Sequence, residues 1–369
     1  MRINTAAMKP GLLYRILKLY LPLVFRIFYR RIQIHRAERV PLKGPVIFAI
    51  NHQNAFMDAI VVATASRRNP WFLTRAGVFA SSVARYWLKK LQMIPIYRFR
   101  DGHAEMKRND ETLALCKKLI FNNQAILIFP EGNHNPGWRL RPLQKGIARI
   151  AFAAESDSGF KSGLQIVPVG LQYENHFNTS SDLLISFGEP IATQKYRQLY
   201  EENPAKATHA LLQDVRVGIM ELMVHVPESS DYEHSVNLLK AQKNRPKDLI
   251  KRLHSDQAFM ANIPDPVEVK NVQNAAKPFC WLAYYMLMVV HLPALMLVHF
   301  AVKKIVKDPA WTSSIKVAAL AFGAPIVHLL QAVLLFSFVF SWIWLPAYLL
   351  LLWISAAAAA KLKSDCIHL

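Results

Sequence analysis

Short apolar runs recur between residues 45 and 190, and longer segments with helical patterning lie between them. The runs have strand length and cover residues 46–50, 71–73, 93–97, 125–129, 165–171 and 183–187. Residues 110–120 and 145–154 are typical of the intervening helices. Strands that alternate with helices indicate an α/β domain with a mostly parallel sheet and flanking helices. We predict this fold for residues 37–190, with functional side chains at the carboxyl ends of strands.

Two long stretches near the C-terminus contain no Asp, Glu, Lys or Arg, namely residues 278–302 and 317–360. A membrane helix needs about 20 apolar residues. The first stretch therefore fits one span, and the second is long enough for two, with a break near Ser341 or Pro346. We predict a membrane-embedded region of two or three helices over residues 277–361.

The orientation of this region is ambiguous at the level of sequence. Four lysines lie between the two stretches and favour a cytoplasmic loop: Lys303, Lys304, Lys307 and Lys316. A first stretch that crossed completely would then place the preceding domain outside. A re-entrant first stretch would leave that domain in the cytoplasm, and the three cysteines, which match no zinc or disulfide-framework spacing, favour that reducing side.

The N-terminal segment, residues 1–36, predicts a second membrane contact. Its basic residues fall on one part of a helix whose remainder is apolar: Arg15, Lys18, Arg26 and Arg30. This pattern is typical of a basic amphipathic helix in the membrane interface, and the alternative is a domain helix with a solvated charged face. The net charge of +20 and the 53% hydrophobic content favour anionic lipid as a partner. Nucleic acid would also suit the charge, but the sequence contains no nucleic-acid motif, so we predict no nucleic-acid partner.

Residues 191–276 are charged and predict a helical extension.

A histidine and a carboxylate follow the first apolar run. His52 can take a proton from a hydroxyl near neutral pH. Asp58 can bond the other ring nitrogen and stabilise the imidazolium. No nucleophilic Ser or Cys is close in sequence, so the pair predicts a base that acts directly on a bound substrate. The alternative is a capped turn in which Asn51 or Asp58 begins a helix.

Other candidate binding residues follow further runs. Glu131 and Gly132 lie in a Pro-Gly turn that is expected to expose the carboxylate to a polyol hydroxyl. Arg98 follows another strand, and its guanidinium suits phosphate. Lys145 precedes a helix whose N-terminus attracts phosphate, and Arg75 is a further candidate.

Taken in order, these segments resemble the glycerolipid acyltransferase family, which includes glycerol-3-phosphate and lysophosphatidic acid acyltransferases. The four blocks that carry the resemblance are NHQNAFMD, MIPIYR, FPEGNH and IVPVGL, and they lie within about residues 40 to 190. The resemblance implies that His52 is the general base and Asp58 its orienting carboxylate. It also implies that Arg98 holds the acceptor phosphate, that Glu131 and Gly132 form the acceptor-binding turn, and that Pro168 is structural.

The implied reaction is O-acyl transfer in phospholipid biosynthesis. The acyl donor would be a thioester of coenzyme A or acyl-carrier protein, with no covalent intermediate, no metal and no other cofactor. Two departures leave the acceptor open: five residues separate His52 from Asp58 where four are common, and Asn133 replaces the usual Thr or Ser. A related alternative is O-acylation of another lysolipid such as an acylated amino acid.

Two alternatives come from other functional classes. A metal-dependent hydrolase could use His52, Asp58 and His134. An inert lipid-binding or scaffolding protein would have no need of a general base. We predict a membrane-bound enzyme in the cytoplasmic membrane, with its catalytic domain facing the cytoplasm.

Overall fold

The structure is a computed structural model that describes residues 9–97, 108–228, 231–242, 246–262, 278–338 and 341–368. Its described strands form a sheet of eight in the order β1-β7-β6-β2-β5-β3-β4, with β8 paired to β6. The strands are β1 Arg31–His35, β2 Val46–Ile50, β3 Trp71–Arg75, β4 Met93–Ile96, β5 Ala125–Ile128, β6 Gln165–Tyr173, β7 Asp182–Phe187 and β8 Ile191–Ala192.

Strands β2 to β6 run parallel to their neighbours in this group, whereas β7 and β8 are antiparallel to β6. All five residues of β2 are buried, because helices cover both faces of the sheet at its centre. The predicted mostly parallel α/β fold is confirmed. Strand β1 pairs with β7 and was not among the predicted strands.

Helices of the domain pack on both faces of the sheet. They are α1 Leu12–Phe28, α2 Ala55–Ala65, α3 Ser82–Lys90, α4 Asn109–Phe121, α5 Gly146–Ser158, α6 Arg197–Glu202, α7 Pro204–Met220, α8 Tyr232–Ala241 and α9 Leu249–Ala261. Helices α1 and α2 share one core with Phe48 and Val167 of the sheet. Helices α4, α5 and α7 share the core on the other face with Ile47 and Ile126.

The sheet crosses the boundaries predicted at residues 36/37 and 190/191, since β1 begins at Arg31 and β8 lies at Ile191–Ala192. Helix α7 also belongs to the domain, because it buries Leu211, Val215 and Ile219 against the sheet. The segment predicted as an extension is therefore, in its first half, part of the α/β domain.

The N-terminal helix differs from its prediction. The side chains of Lys18 and Arg30 face the protein: Lys18 Nζ donates to the carbonyl of Arg68 and to Asn69 Oδ1, and Arg30 pairs with Asp182 and Glu174. The four basic residues therefore do not share one outward-facing stripe, which both the prediction and its alternative, a domain helix with a solvated charged face, required. Helix α1 packs on the core of the α/β domain. The exposed side of α1 carries four large apolar side chains and only two arginines: Leu12, Ile16, Leu19, Leu23, Arg15 and Arg26. Apolar burial in lipid, more than charge, suits this surface.

Three C-terminal helices are long and apolar enough to cross a membrane, as predicted: Cys280–Ile305, Pro309–Phe338 and Trp342–Leu362. The first consists of α10 Pro278–Met288 and α11 Leu292–Ile305, joined by a 3₁₀ turn. The second consists of α12 Thr312–Ala318 and α13 Ala324–Phe338, joined by a π-helical turn. The third is α14 Leu345–His368. The predicted break near Ser341 lies between the second and third helices.

Contacts between these helices show that α10 and α11 form a V. Helix α14 runs antiparallel to α13, because the ring of Tyr348 lies 5.6 Å from that of Phe336, while His291 bridges His328 and Ser355 further along both helices. Leu362 therefore returns toward the α/β domain, and Cys280 Sγ lies 3.6 Å from its carbonyl oxygen. At the other end, Ile305 is followed closely by Ser313, which bonds the carbonyl of His176 in the domain. Both ends of the first apolar helix thus lie nearer the domain than its apex at His291.

Candidate active site

His52 lies directly beyond the carboxyl end of β2, and the first turn of α2 brings Asp58 back to it. His52 Nδ1 lies 2.8 Å from Asp58 Oδ2. Asp58 is completely buried, and the His52 side chain is 13% exposed. An ionised aspartate accepts a hydrogen bond and cannot donate one, so Nδ1 carries the proton and Nε2 is left as the basic nitrogen. The structure brings the two predicted catalytic residues together in this base-and-carboxylate arrangement.

Asp58 also fixes the backbone at the start of α2. Its Oδ2 accepts from the backbone N–H groups of Gln53 and Asn54, both at 2.8 Å, in addition to His52. A carboxylate in the first turn that reaches back to preceding N–H groups caps the helix. Neither Asn51 nor Asp58 begins the helix, since α2 starts at Ala55 after Asn54, so the capped-turn alternative is wrong in that form. Asp58 lies inside the first turn and bonds both His52 and the preceding backbone. Ala55 accommodates the turn with a φ of +40°.

The ring of His52 is held from its face as well as from Nδ1. Phe129, at the end of β5, stacks on it with 3.8 Å between ring centroids and 10° between planes. The backbone carbonyl of His52 accepts from Asn135 N at 3.0 Å. Among the described residues, no hydrogen-bond partner is recorded for Nε2. This nitrogen is therefore the one available to a substrate hydroxyl.

Glu131 is not exposed, contrary to the sequence prediction. It is 6% exposed, and both carboxylate oxygens accept hydrogen bonds from the protein. Oε1 accepts from His52 N at 2.7 Å, and Oε2 accepts from Arg141 N at 3.0 Å and Arg141 Nε at 3.2 Å. Burial raises the pKa of Glu131, and the bonds from His52 and Arg141 oppose that rise. The carboxylate thus ties the turn after β5 to the end of β2.

Gly132 makes the adjoining turn feasible. Its φ is +73°, in the left-handed region that glycine adopts without strain. A Cβ at this position would lie 3.3 Å from Gln144 Cγ. Its structural contribution is the tight turn, and acceptor binding by Glu131 and Gly132 stays a prediction.

Two of the candidate phosphate ligands lie at exposed positions on other elements of the domain. Arg75 is exposed at the carboxyl end of β3, on the same sheet edge as His52. Lys145 is exposed at the N-terminus of α5, as predicted. Arg98 lies outside the described residues.

Sequence reasoning missed several residues that hold the site together. Tyr173, fully buried in β6, donates from Oη to Asp58 Oδ1 at 2.8 Å. Arg141 bonds Glu131, and Phe129 stacks on His52. Burial lowers the pKa of His176 to about 4, so its ring is neutral at neutral pH and Nε2 pairs with Gln53 Oε1 at 3.1 Å. Phe129 is the first residue of FPEGNH and Tyr173 lies two residues after IVPVGL, but only the packed sheet reveals their contacts with His52 and Asp58.

Replacing Tyr173 with phenylalanine is expected to weaken the catalytic pair without removing it. The variant leaves Asp58 Oδ1 without its hydroxyl donor, and a hydrogen bond to a charged group contributes about 1.5–3 kcal/mol. We expect a loss of that order in the free energy of unfolding, with a smaller loss of turnover than for Asp58→Asn. Denaturant titration and initial rates measure both. A Tyr173→Phe protein of unchanged stability would contradict this account of the hydrogen bond.

Comparison with known proteins supports the motif analysis. The Acyltransferase family model matches residues 31–172. Glycerol-3-phosphate O-acyltransferase 2 of Saccharomyces cerevisiae is 27% identical over 128 residues, which are 34% of this chain and 17% of the yeast protein. A chloroplastic 1-acyl-sn-glycerol-3-phosphate acyltransferase of Brassica napus is 26% identical over 157 residues, or 42% of this chain and 41% of that protein. The chain therefore spans less than half the length of these relatives.

A solved structure, the 1-acyl-sn-glycerophosphate acyltransferase PlsC from Thermotoga maritima, aligns with a TM-score of 0.40 and 16% identity. The alignment covers 55% of this chain and 78% of that one. The matched segment of this chain, residues 31–172, contains the His52–Asp58 pair and the turn at Glu131. Over residues 31–172 the α/β domain is therefore similar to the Acyltransferase family.

Proposed function

We propose that this protein transfers a fatty acyl group from an acyl thioester to a hydroxyl of glycerol phosphate or lysophosphatidic acid, in phospholipid biosynthesis. The observation that carries the proposal is the His52–Asp58 pair, whose Nδ1–Oδ2 distance is 2.8 Å and which leaves Nε2 available. His52 Nε2 takes the proton of the acceptor hydroxyl while the oxygen of that hydroxyl attacks the thioester carbonyl. The carbon–sulfur bond then breaks, and the thiolate takes the proton from the imidazolium, which Asp58 has stabilised.

An apolar cavity beside the catalytic helix supports a lipid substrate. It has a volume of about 170 Å³ and lies between α1, α2 and the second apolar helix. Its walls are mainly apolar and combine aromatic rings with aliphatic side chains, including Phe56, Phe72, Leu17, Leu21, Ala59 and Ala321. A hydrocarbon chain in this cavity would run along α2, the helix that carries Asp58. The acyl donor, coenzyme A or acyl-carrier protein thioester, supplies such a chain.

The phosphate of the acceptor is assigned to basic residues around the carboxyl edge of the sheet. We propose Arg98 as its main ligand, on the resemblance alone, with Arg75 and Lys145 as further candidates. Guanidinium donors form a fork that matches phosphate oxygens, and a lysine at a helix N-terminus combines two attractions for an anion. An acylated amino acid lacks this phosphate, and no feature of the structure favours it.

Acyl transfer with a panel of substrates tests the proposal. Purified protein and its His52→Ala variant are given glycerol-3-phosphate, lysophosphatidic acid or an acylated amino acid, each with acyl coenzyme A and with acyl-carrier protein. We expect transfer to a phosphate-bearing acceptor that depends on His52. Transfer to none of the acceptors, or equal transfer by both proteins, would refute the proposal.

The V formed by α10 and α11 bears on the orientation in the membrane. Residues 291–305 correspond to about 21 Å of helix, which is less than the 30 Å hydrocarbon core. We infer that this V is re-entrant and that the two following helices, of 30 and 21 residues, cross completely. Both ends of the membrane region then lie on the side of the α/β domain.

Charge indicates which side that is. The lysines near the domain are Lys303, Lys304, Lys307, Lys316 and Lys361, whereas residues 341–345 at the opposite end contain no charged residue. By the positive-inside rule, the α/β domain faces the cytoplasm. This orientation rests on the distribution of charge alone. Cys280 is disulfide-bonded, so the cysteines do not support the reducing compartment that the sequence suggested.

Labelling from one side of the membrane should show this topology. The starting point is an active variant in which the native cysteines are replaced by serine. One cysteine is then introduced at a time, in place of Trp281, Lys303, Ile343 or, in the α/β domain, Lys161. A membrane-impermeant maleimide applied to the cytoplasmic side should label positions 161, 281 and 303, and position 343 only from the other side. Labelling of 281 together with 343 would instead indicate three complete spans and contradict the re-entrant V.

A further inference from the structure

The residues that join the first apolar helix to the second, together with the first ten residues of the second helix, contact the active site. We call these residues, 306–318, the inter-helix segment. It lies more than 130 residues beyond the end of the Acyltransferase match at residue 172. Ala310 and Ser313 of this segment are almost completely buried. The segment is therefore packed against the α/β domain, although it connects two helices that enter the membrane.

One contact of the segment is with the turn that follows β5. His134 Nε2 lies 2.9 Å from Asp308 Oδ2, and the ring of Trp311 meets that of His134 edge to face at 6.3 Å. His134 in turn stands edge to face with His52, with 5.5 Å between ring centroids. Asp308 is thus connected to the catalytic histidine through a single side chain.

A second contact is with the loop that follows β6. Ser313 Oγ donates to the carbonyl of His176 at 2.5 Å, and Asn54 Nδ2 donates to the same carbonyl at 2.8 Å. Lys316 Nζ donates to the carbonyl of Phe177 at 2.8 Å. The inter-helix segment therefore bridges the two loops on either side of His52, which fixes where Asp308 stands.

The two carboxylate oxygens of Asp308 make different contacts. Oδ1 accepts from Ala310 N at 3.0 Å and caps the short 3₁₀ turn that follows, while Oδ2 bonds His134. The hydrogen bond from His134 is the main cause that lowers the pKa of Asp308. Its side chain is 54% exposed, so solvent screens its charge and the geometric contribution to His134 outweighs the electrostatic one.

We propose that Asp308 is a positioning residue for the transfer reaction: it holds His134 beside His52, so that the C-terminal membrane region completes the active site. The proposal rests on the proposed acyltransferase function. An imidazole held against His52 occupies space that the acceptor hydroxyl and the thioester carbonyl must share, so its orientation affects the reacting geometry. A misplacement of 1 Å near reacting groups can cost about 10²-fold in rate.

The test uses full-length Asp308→Asn protein. Asparagine can keep the cap on Ala310 N, but its amide group can bond His134 Nε2 only by donating to the other tautomer, so the bond from His134 to a carboxylate oxygen is lost. We expect kcat to fall roughly tenfold, within the effect of such a misplacement, with little change in the KM of the acceptor. Lys307→Ala, an exposed neighbour, is the matched control and should retain wild-type kcat.

A double-mutant cycle decides whether Asp308 acts through His134. In a His134→Ala background, Asp308→Asn should cause less than a twofold further loss of kcat, since the contact is already absent. Multiplicative losses, or wild-type kcat for Asp308→Asn, would overturn the proposal. The proposal would also be overturned if the loss of kcat in Asp308→Asn came with a clear fall in melting temperature, because that result would indicate a role in folding. If the wild-type protein itself transfers no acyl group, the proposed function fails instead, independently of these variants.

Discussion

Replacing His52 with alanine is expected to lower kcat for acyl transfer by about 10²–10⁴-fold, the range in which a positioned general base contributes. The reason is that Nε2 of His52 is the basic nitrogen that the structure leaves available, while Nδ1 is committed to Asp58 at 2.8 Å. Initial rates with saturating donor and acceptor measure the effect. A folded His52→Ala protein with near wild-type turnover would show that the base lies elsewhere.

Asp58→Asn provides a matched variant for this experiment. Its amide oxygen can still accept from His52 and from the backbone N–H groups of Gln53 and Asn54, and its amino group can donate to Tyr173. The geometry is therefore kept, whereas the negative charge that stabilises the imidazolium is lost. We expect a large loss of kcat with a preserved fold. Full activity in this variant would assign Asp58 to helix capping alone.

Replacing Glu131 with alanine is expected to impair both stability and turnover. The backbone N–H groups of His52 and Arg141 would lose their acceptor, and the Arg141 guanidinium would lose its carboxylate partner. Each buried donor left unsatisfied costs about 1–3 kcal/mol, so the two backbone donors together predict a loss of about 2–6 kcal/mol in the free energy of unfolding. Urea denaturation in detergent measures it, and kcat should fall because His52 is no longer held.

Glu131→Gln distinguishes the contact with His52 from the contacts with Arg141. Glutamine keeps the volume and can accept from His52 N, but its amide group opposes the donors of Arg141. An intermediate loss of stability with largely preserved kcat is expected. If Glu131→Ala instead keeps its stability and only raises the KM of the acceptor, then Glu131 is a substrate ligand, as the family resemblance implies, and not the internal tie that its contacts indicate.

Much of the fold was predictable because it depends on local pattern. Residues 46–50 and 125–128 are uninterrupted apolar runs, and such runs in strands predict a sheet covered on both faces. The pairing of β2 with β5 then places His52 beside the turn at Glu131. The environment of helix α1 was harder to predict, because the same spacing of basic residues occurs whether they are solvated by water, face anionic lipid or pair with a carboxylate of the protein. The partners of Arg30, Glu174 and Asp182, lie about 150 residues away in sequence.

The sequence by itself determined the alternation of strands and helices, the His52–Asp58 spacing and the presence of a long uncharged C-terminal region. These features follow from periodicity and composition, which are read over a few neighbouring residues. Only the tertiary structure decided that Glu131 is buried, that the first apolar helix folds back at His291 and that Asp308 contacts His134. Each of these depends on groups distant along the chain, and burial or hydrogen bonding between such groups exists only once the sheet and helices have packed.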